Sequence, residues 1–312
     1  MEDFEGSDFG AGPEDRWRRA GLADGVGSAR DYCRAAVRKG DRDRYLAALF
    51  APVSRRGDLL ALAAFNLEIA RAREQVREPM LGLIRLQWWR EALDAIYAGG
   101  ALRKHPVAEA LADAIRRHDL PRDPFERLIA ARERDMEPAP NKDMDTLEDY
   151  AAETSVPLFL LNWKALTAGK PDADDPFKIA VALANAGTGY ALTGLLRALP
   201  FHAAAGRIYL PRDRVEAAGL TVQDLARPEQ LPARAAIIRD IAQTARSRLD
   251  RARPDLNKLP RAASPLRLSC ALARRHLDRL AAAQYEPHAP AVQATPPWTV
   301  WQLSWWHWTG RG

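Results

Sequence analysis

From Ser28 onward the chain repeats one pattern, apolar side chains at steps of three and four with charged ones between them. That period predicts amphipathic helices. "SARDYCRAAVRKGDRDRYLAALF" sets Tyr32, Ala36, Tyr45 and Leu49 at helical spacing, with a break at Gly40. "RRGDLLALAAFNLEIARAREQVRE" carries Leu59, Leu62, Leu67 and Ile69, with Asp58 as the expected N-cap and an end before Pro79. "PMLGLIRLQWWREALDAIYAGG" predicts a helix that starts at Pro79 and stops at Gly99-Gly100, with one of Trp88 and Trp89 facing the core. Two shorter helices follow, punctuated by Pro121 and Pro124. "TLEDYAAETSVPLFLLNWKALTAG" predicts a helix capped by Thr146, kinked at Pro157 and stopped at Gly169. "PARAAIIRDIAQTARSRLDRAR" and "PLRLSCALARRHLDRLAA" are two more amphipathic stretches.

One stretch breaks the pattern. Residues 179–196, "IAVALANAGTGYALTGLL", carry no charge. Their length approaches that of a membrane span, roughly 20 residues. Glycines, threonines and an asparagine dilute the apolar character, so the expectation is a helix buried on all sides of a helical protein. Its glycines permit close packing of a neighbouring helix or approach of a ligand.

No strand alternates over more than a few residues, and no repeat is present. The pattern predicts one all-α domain over residues 28–285. Residues 1–27 are rich in Gly, Asp and Glu and are expected to be disordered. Residues 286–297, "EPHAPAVQATPP", read as a Pro/Ala linker, and residues 298–312 as a separate tail.

Composition narrows the classes. With 47% hydrophobic and 28% charged residues, the chain is expected to bury a sizeable core. Its net charge of +5 comes from basic residues interleaved with acids, the pattern of a solvated arginine-rich surface. No zinc finger, RNA-recognition signature or long basic block is present, so nucleic acid is not an expected partner. Cys33 and Cys270 have no metal-ligand spacing and form no disulfide framework, which points to a reducing compartment. The acidic N-terminus lacks the apolar run of a secretory signal. No Ser/His/Asp set or phosphate loop can be assembled.

Six segments, in order, resemble the squalene/phytoene synthase family: "YCRAAVRKGDRDRYLAALFAP", "LLALAAFNLEIARARE", "LGLIRLQWWREAL", "HPVAEAL", "YAAETSVPLF" and "LTGLLRALPFHAAAGRIYLPRD". The resemblance implies an isoprenoid-synthase-like helical bundle around a central cavity. It also implies two facing helices whose acids, at steps of four, hold Mg²⁺ against a prenyl diphosphate. At those acid positions this chain has Ala70, Arg71 and Glu74 in the first helix, and Ala198 and His202 in the second. Alanine cannot ligate. An arginine repels the ion: two unit charges 4 Å apart cost roughly 4 kcal/mol at an effective dielectric near 20. The family's prenyl transfer is therefore not expected, and neither is a cofactor; Mg²⁺ belongs only to the alternative of an active head-to-head prenyltransferase.

Asn66 in "AFN" and Pro200-Phe201-His202 in "LLRALPFHAAAGRIYLP" resemble a divergent branch, mitochondrial complex I assembly factor 6 and its bacterial relatives. That resemblance implies a role in assembly of NADH:quinone oxidoreductase, with a complex I subunit or assembly intermediate as partner. The expected place is the inner face of a bacterial cytoplasmic membrane, or the matrix side of the mitochondrial inner membrane. A prenyl-lipid or quinone binder is the third reading. Glu68, Arg71, Arg73, Arg197, Arg207 and Tyr209 are candidates for a residual anion or lipid pocket. Alternatively Glu68, Arg71, Glu74 and Arg77, stepping by three, form a salt-bridged solvated face. His202 after Pro200 is either a loop histidine with a structural hydrogen bond or a base.

In the tail, Trp298, Trp301, Trp305 and Trp308 share one helical face, without acids and with Arg311 following. This is the pattern of an in-plane membrane anchor beyond a flexible linker. The competing arrangement is a tail folded back onto the domain with those rings buried.

Overall fold

In a computed structural model of the protein, residues 28–309 are described except 75, 77, 138, 168–174, 228–231, 295 and 297. The expected disorder of residues 1–27, and the roles given to Arg77, Gly169 and Arg311, lie outside the described residues. Among the described residues the regular elements are all helical.

Helix α1 (Ala29–Gly40) opens on a capping box, in which the Ser28 side chain accepts from the Asp31 N–H and Asp31 reaches back. It buries Cys33 and Val37. Asp41 ends it and caps α2 (Arg42–Ala48) by accepting from the Arg44 N–H. Helix α3 (Val53–Ala70) starts more than a turn before Asp58. Asp58 is no cap: its side chain is 2% exposed, and it accepts from His118 Nε2 at 2.7 Å and from Arg117. Nor does the helix run on toward Pro79; it ends at Ala70.

Helix α4 (Pro79–Tyr97) stops at Gly99, whose φ of 68° suits only glycine readily. Trp89 is buried, and Trp88 meets it edge-on at 4.9 Å. Helices α5 (Pro106–His118) and α6 (Asp123–Glu133) follow. Helix α7 (Met144–Thr167) contains Pro157. Its N-terminal cap is Asp143 rather than Thr146, because Asp143 Oδ1 accepts from the Thr146 N–H at 2.9 Å and Thr146 Oγ1 accepts from the Asp143 N–H.

The uncharged stretch lies in α8 (Pro176–Ala204), which Asp175 caps. It packs against α7, α11 (Pro232–Leu256) and α12 (Ser264–Ala282). It is the one helix among the described residues long and apolar enough to cross a membrane, and most of that window is buried in the bundle. Two of its glycines make the packing possible. A Cβ on Gly187 would meet the Val156 Cα on α7 at 2.9 Å; one on Gly189 would meet the Ala245 carbonyl on α11 at 2.9 Å. Short helices α9 (Arg212–Ala217) and α10 (Val222–Ala226) lie between α8 and α11.

The segment read as a linker is not free of the domain. Glu286 pairs with the fully buried Arg234, and Val292 in α13 (Pro290–Gln293) is 2% exposed. Gln293 Nε2 donates to the carbonyls of Pro287 at 2.7 Å and Arg197 at 3.1 Å, and Arg279 Nη1 donates to that of Ala294 at 2.6 Å. Helix α14 (Thr299–Thr309) then docks on α12. Leu303, fully buried, enters an apolar cluster of Leu46, Ala47, Leu268 and Leu272, with Trp306 half-buried beside it. Arg261 Nε donates to His307 Nε2 at 3.2 Å, which leaves His307 Nδ1 to donate to Ser264 Oγ at 3.0 Å. The tail thus folds back, yet the four rings stay outside: Trp298, Trp301, Trp305 and Trp308 are 60–82% exposed.

Candidate functional site

The positions where the family resemblance implies metal-binding acids lie at the end of α3 and on α8. Ala70 is the last residue of α3, Arg71 follows as its cap, and Glu74 is exposed. Ala198 and His202 stand one turn apart on α8, which continues through Pro200 to Ala204. His202 is therefore a helix residue, not a loop residue, and its Nδ1 is buried without a hydrogen-bond partner among the described residues. Its ring packs against Tyr209 at 4.4 Å. Burial, then the charges of Arg207 and Arg132, push its pKa down to about 4, so the imidazole is neutral near pH 7.

On the other side of α8 an ion triad joins three helices. Arg197 Nη1 donates to Asp43 Oδ2 at 2.5 Å, and His276 Nε2 lies 2.9 Å from the same oxygen and 3.0 Å from Arg197 Nη1. Burial acts to raise the Asp43 pKa, but the His276 hydrogen bond and the Arg197 charge outweigh it and hold the carboxyl well below its usual range. Beside the triad, Arg44 pairs with Asp41 at 2.5 Å and lies over the Tyr190 ring at 4.7 Å. These groups, with Thr193, Gly194 and Ala273, bound a cavity of about 100 Å³. Neither Asp43 nor His276 was singled out by the sequence, because 233 positions separate them and no local pattern links them.

A second buried network centres on Asp135. Its Oδ1 accepts from Tyr150 Oη at 2.5 Å and Tyr209 Oη at 3.0 Å, and Arg132 Nη1 stands 3.4 Å from Oδ2. Asn141 Nδ2 donates to the Tyr209 carbonyl at 2.8 Å and pins the loop after α8.

Of the residues expected to form one anion pocket, Arg73, Arg197 and Tyr209 have hydrogen-bond partners of their own. Arg71 lies beside Gly40 and acts on Glu68, whose pKa burial raises despite the charges of Arg71 and Arg85. Arg73 Nη1 donates to the Val76 carbonyl at 3.1 Å. Arg197 belongs to the Asp43 triad, and Tyr209 is spent on Asp135. Arg207 stands near His202.

The donor set does not fit a Mg²⁺–diphosphate site. Mg²⁺ wants near-octahedral oxygen ligands, including one or two carboxylates. Ala70 and Ala198 offer none, Arg71 brings positive charge, and Asp43 is already neutralised by Arg197. Among the described residues no group of three or more His, Cys, Asp or Glu is placed to hold a metal ion.

The family model for squalene/phytoene synthase matches residues 37–302. The human protein NADH dehydrogenase (ubiquinone) complex I, assembly factor 6 is 29% identical over 284 residues, covering 90% of this chain and 83% of that protein. Phytoene synthase from Arthrospira platensis is 28% identical over 210 residues, covering 62% and 65%. Among solved structures, squalene synthase HpnC from Alicyclobacillus acidocaldarius matches with a TM-score of 0.69 at 23% identity, over 83% of this chain and 95% of that one. A dehydrosqualene synthase solved with ligand matches at 0.76 and 17%, over 96% and 99%. These are the helical isoprenoid-synthase-like folds that the sequence led us to expect, and with most of its length inside the family model the chain belongs to the squalene/phytoene synthase family.

Proposed function

We propose that this chain is a non-catalytic member of its family that acts in assembly of respiratory NADH:quinone oxidoreductase at a membrane surface. One observation carries the first half: where acids would face each other, the chain has Ala70, Arg71, Ala198 and His202, and the neighbouring Arg197 is tied to Asp43 and His276. The second half rests on relatives named for complex I assembly, which align along about nine-tenths of the chain. No metal or other cofactor enters this reading. The partner is a complex I subunit or assembly intermediate, met on the cytoplasmic face of a bacterial membrane or the matrix face of a mitochondrial one.

Three cavities described by their lining residues lend the prenyl-lipid or quinone reading no support. The cavity beside Arg197 holds about 100 Å³, that between Arg44 and Ser269 about 30 Å³, and that at His202 and Tyr209 about 10 Å³. Ligand pockets run to roughly 300–1,000 Å³.

The test is deletion of the chain's gene in its host, with native-gel separation of the membrane complexes. Loss of fully assembled oxidoreductase, with subcomplexes accumulating and the wild-type chain restoring it, is the expected result. Normal assembly in the deletion strain would end the proposal.

A further inference from the structure

Helix α14 is apolar on two faces, and the fold covers only one. Thr299 and Leu303 are buried against α12 and α2, and Trp306 is half-buried. The other face presents Trp298, Trp301, Trp305 and Trp308, with Val300 beside them at 43% exposure. Those rings leave roughly 500 Å² of apolar surface in water. Patches of roughly 300–600 Å² on monomers are often functional.

The charge around the patch is one-sided. Arg261 and His307 meet at one end of α14, and Arg275 approaches Thr299 at the other, 3.5 Å away. Arg267 and Arg279 share α12 with Arg275, while the helix's Arg274 and its single acid, Asp278, turn to Asp250 and Arg246 on α11. From Pro287 to Gly312 the sequence has no Asp or Glu. Tryptophan settles at the level of lipid headgroups, and flanking arginines are drawn to acidic ones. A second copy of the chain suits the patch less well, because a stable dimer covers about 800 Å² on each partner and this face offers less.

We propose that the outward tryptophan face of α14, flanked by Arg261 and Arg275, is a docking surface for an anionic lipid bilayer. The helix lies flat on the membrane and is already held in shape by Leu303, so it binds without first having to fold. This deepens the membrane placement above and needs no oxidoreductase subunit, so it stands or falls apart from the assembly role.

The test uses the full-length purified protein with vesicles of phosphatidylcholine, alone or mixed with phosphatidylglycerol, in co-sedimentation. Binding should favour the mixed vesicles and fall with added salt. Trp301→Ser with Trp308→Ser, at the two most exposed rings, should weaken it at least about tenfold, with helix content by circular dichroism unchanged. Arg261→Gln with Arg275→Gln should abolish the preference for phosphatidylglycerol. Unchanged vesicle binding in the tryptophan variant would overturn the proposal. So would a wild-type dimer that ignores vesicles and becomes a monomer in that variant, since a second copy would then be the occupant.

Discussion

Arg197 Nη1 stands 2.5 Å from Asp43 Oδ2 and ties α8 to α2 across 154 positions of sequence. Asp43 is 4% exposed, so its charge depends on Arg197 and His276 rather than on water. The position just before an expected metal acid thus serves the protein's own cohesion.

Removing Arg197 strands a buried carboxylate. Arg197→Met should cost about 3 kcal/mol in denaturant unfolding near neutral pH, the low end for breaking a buried pair, because His276 remains. Asp43 has a folded pKa below its unfolded value near 3.9, so the stabilisation is present above that value and lost as pH falls through the acid range. The gap between wild type and variant should therefore be widest above about pH 5 and shrink on acidification. A gap that grows in acid would contradict the assignment.

Two half-buried histidines add a second acid sensitivity of the same sign. Burial brings His105 to about 4, and burial with Arg207 and Arg132 does the same for His202. The unfolded chain takes up these protons first, near pH 6.5, so stability is full above that pH and declines toward pH 4. His202→Phe keeps a ring against Tyr209 and should flatten the decline by about 2 kcal/mol. A wild-type His202 resonance titrating near 6.5 by NMR would refute the shift.

The glycines of α8 separate close packing from open space on one helix. Gly187→Ala should destabilise by about 1–3 kcal/mol, since its Cβ would meet the Val156 backbone. Nothing lies within 4 Å of a Cβ on Gly194, so Gly194→Ala should be neutral or stabilise by up to about 1 kcal/mol through helix propensity. Thermal unfolding of the two variants checks the order.

Leu303 should behave as a core residue. Leu303→Ala is expected to cost about 2–4 kcal/mol, although the residue lies in a tail that the sequence sets apart. A variant as stable as wild type in chemical denaturation would mean that the docking contributes nothing.

Purified protein given farnesyl or geranylgeranyl diphosphate with Mg²⁺ should release no diphosphate above a no-protein control. Release that a chelator abolishes would restore the prenyltransferase reading.

Much of the helical frame was legible because burial in a bundle follows a local period. The errors fell where a distant residue decides. Asp58 looks like a cap until His118, 60 positions away, is seen against it. The linker composition of residues 286–297 hides the side chain of Gln293, which reaches the Arg197 carbonyl. In the tail, the spacing of the exposed tryptophans was visible, but the weight of Leu303 was not, because its pocket comes from α2 and α12. At the candidate site the missing acids were readable residue by residue. The triad that stands nearby was not, since charge pairing across 233 positions leaves no local trace.

The seat of Leu303 has a consequence for biosynthesis. Leu46 and Ala47 on α2 emerge from the ribosome early, whereas Leu303 emerges after every other helix described here. Chains fold from the N-terminus as they are made. The seam between α2 and α12 therefore stays open to other greasy segments until Leu303 has been made, a window in which a chaperone would find its grip.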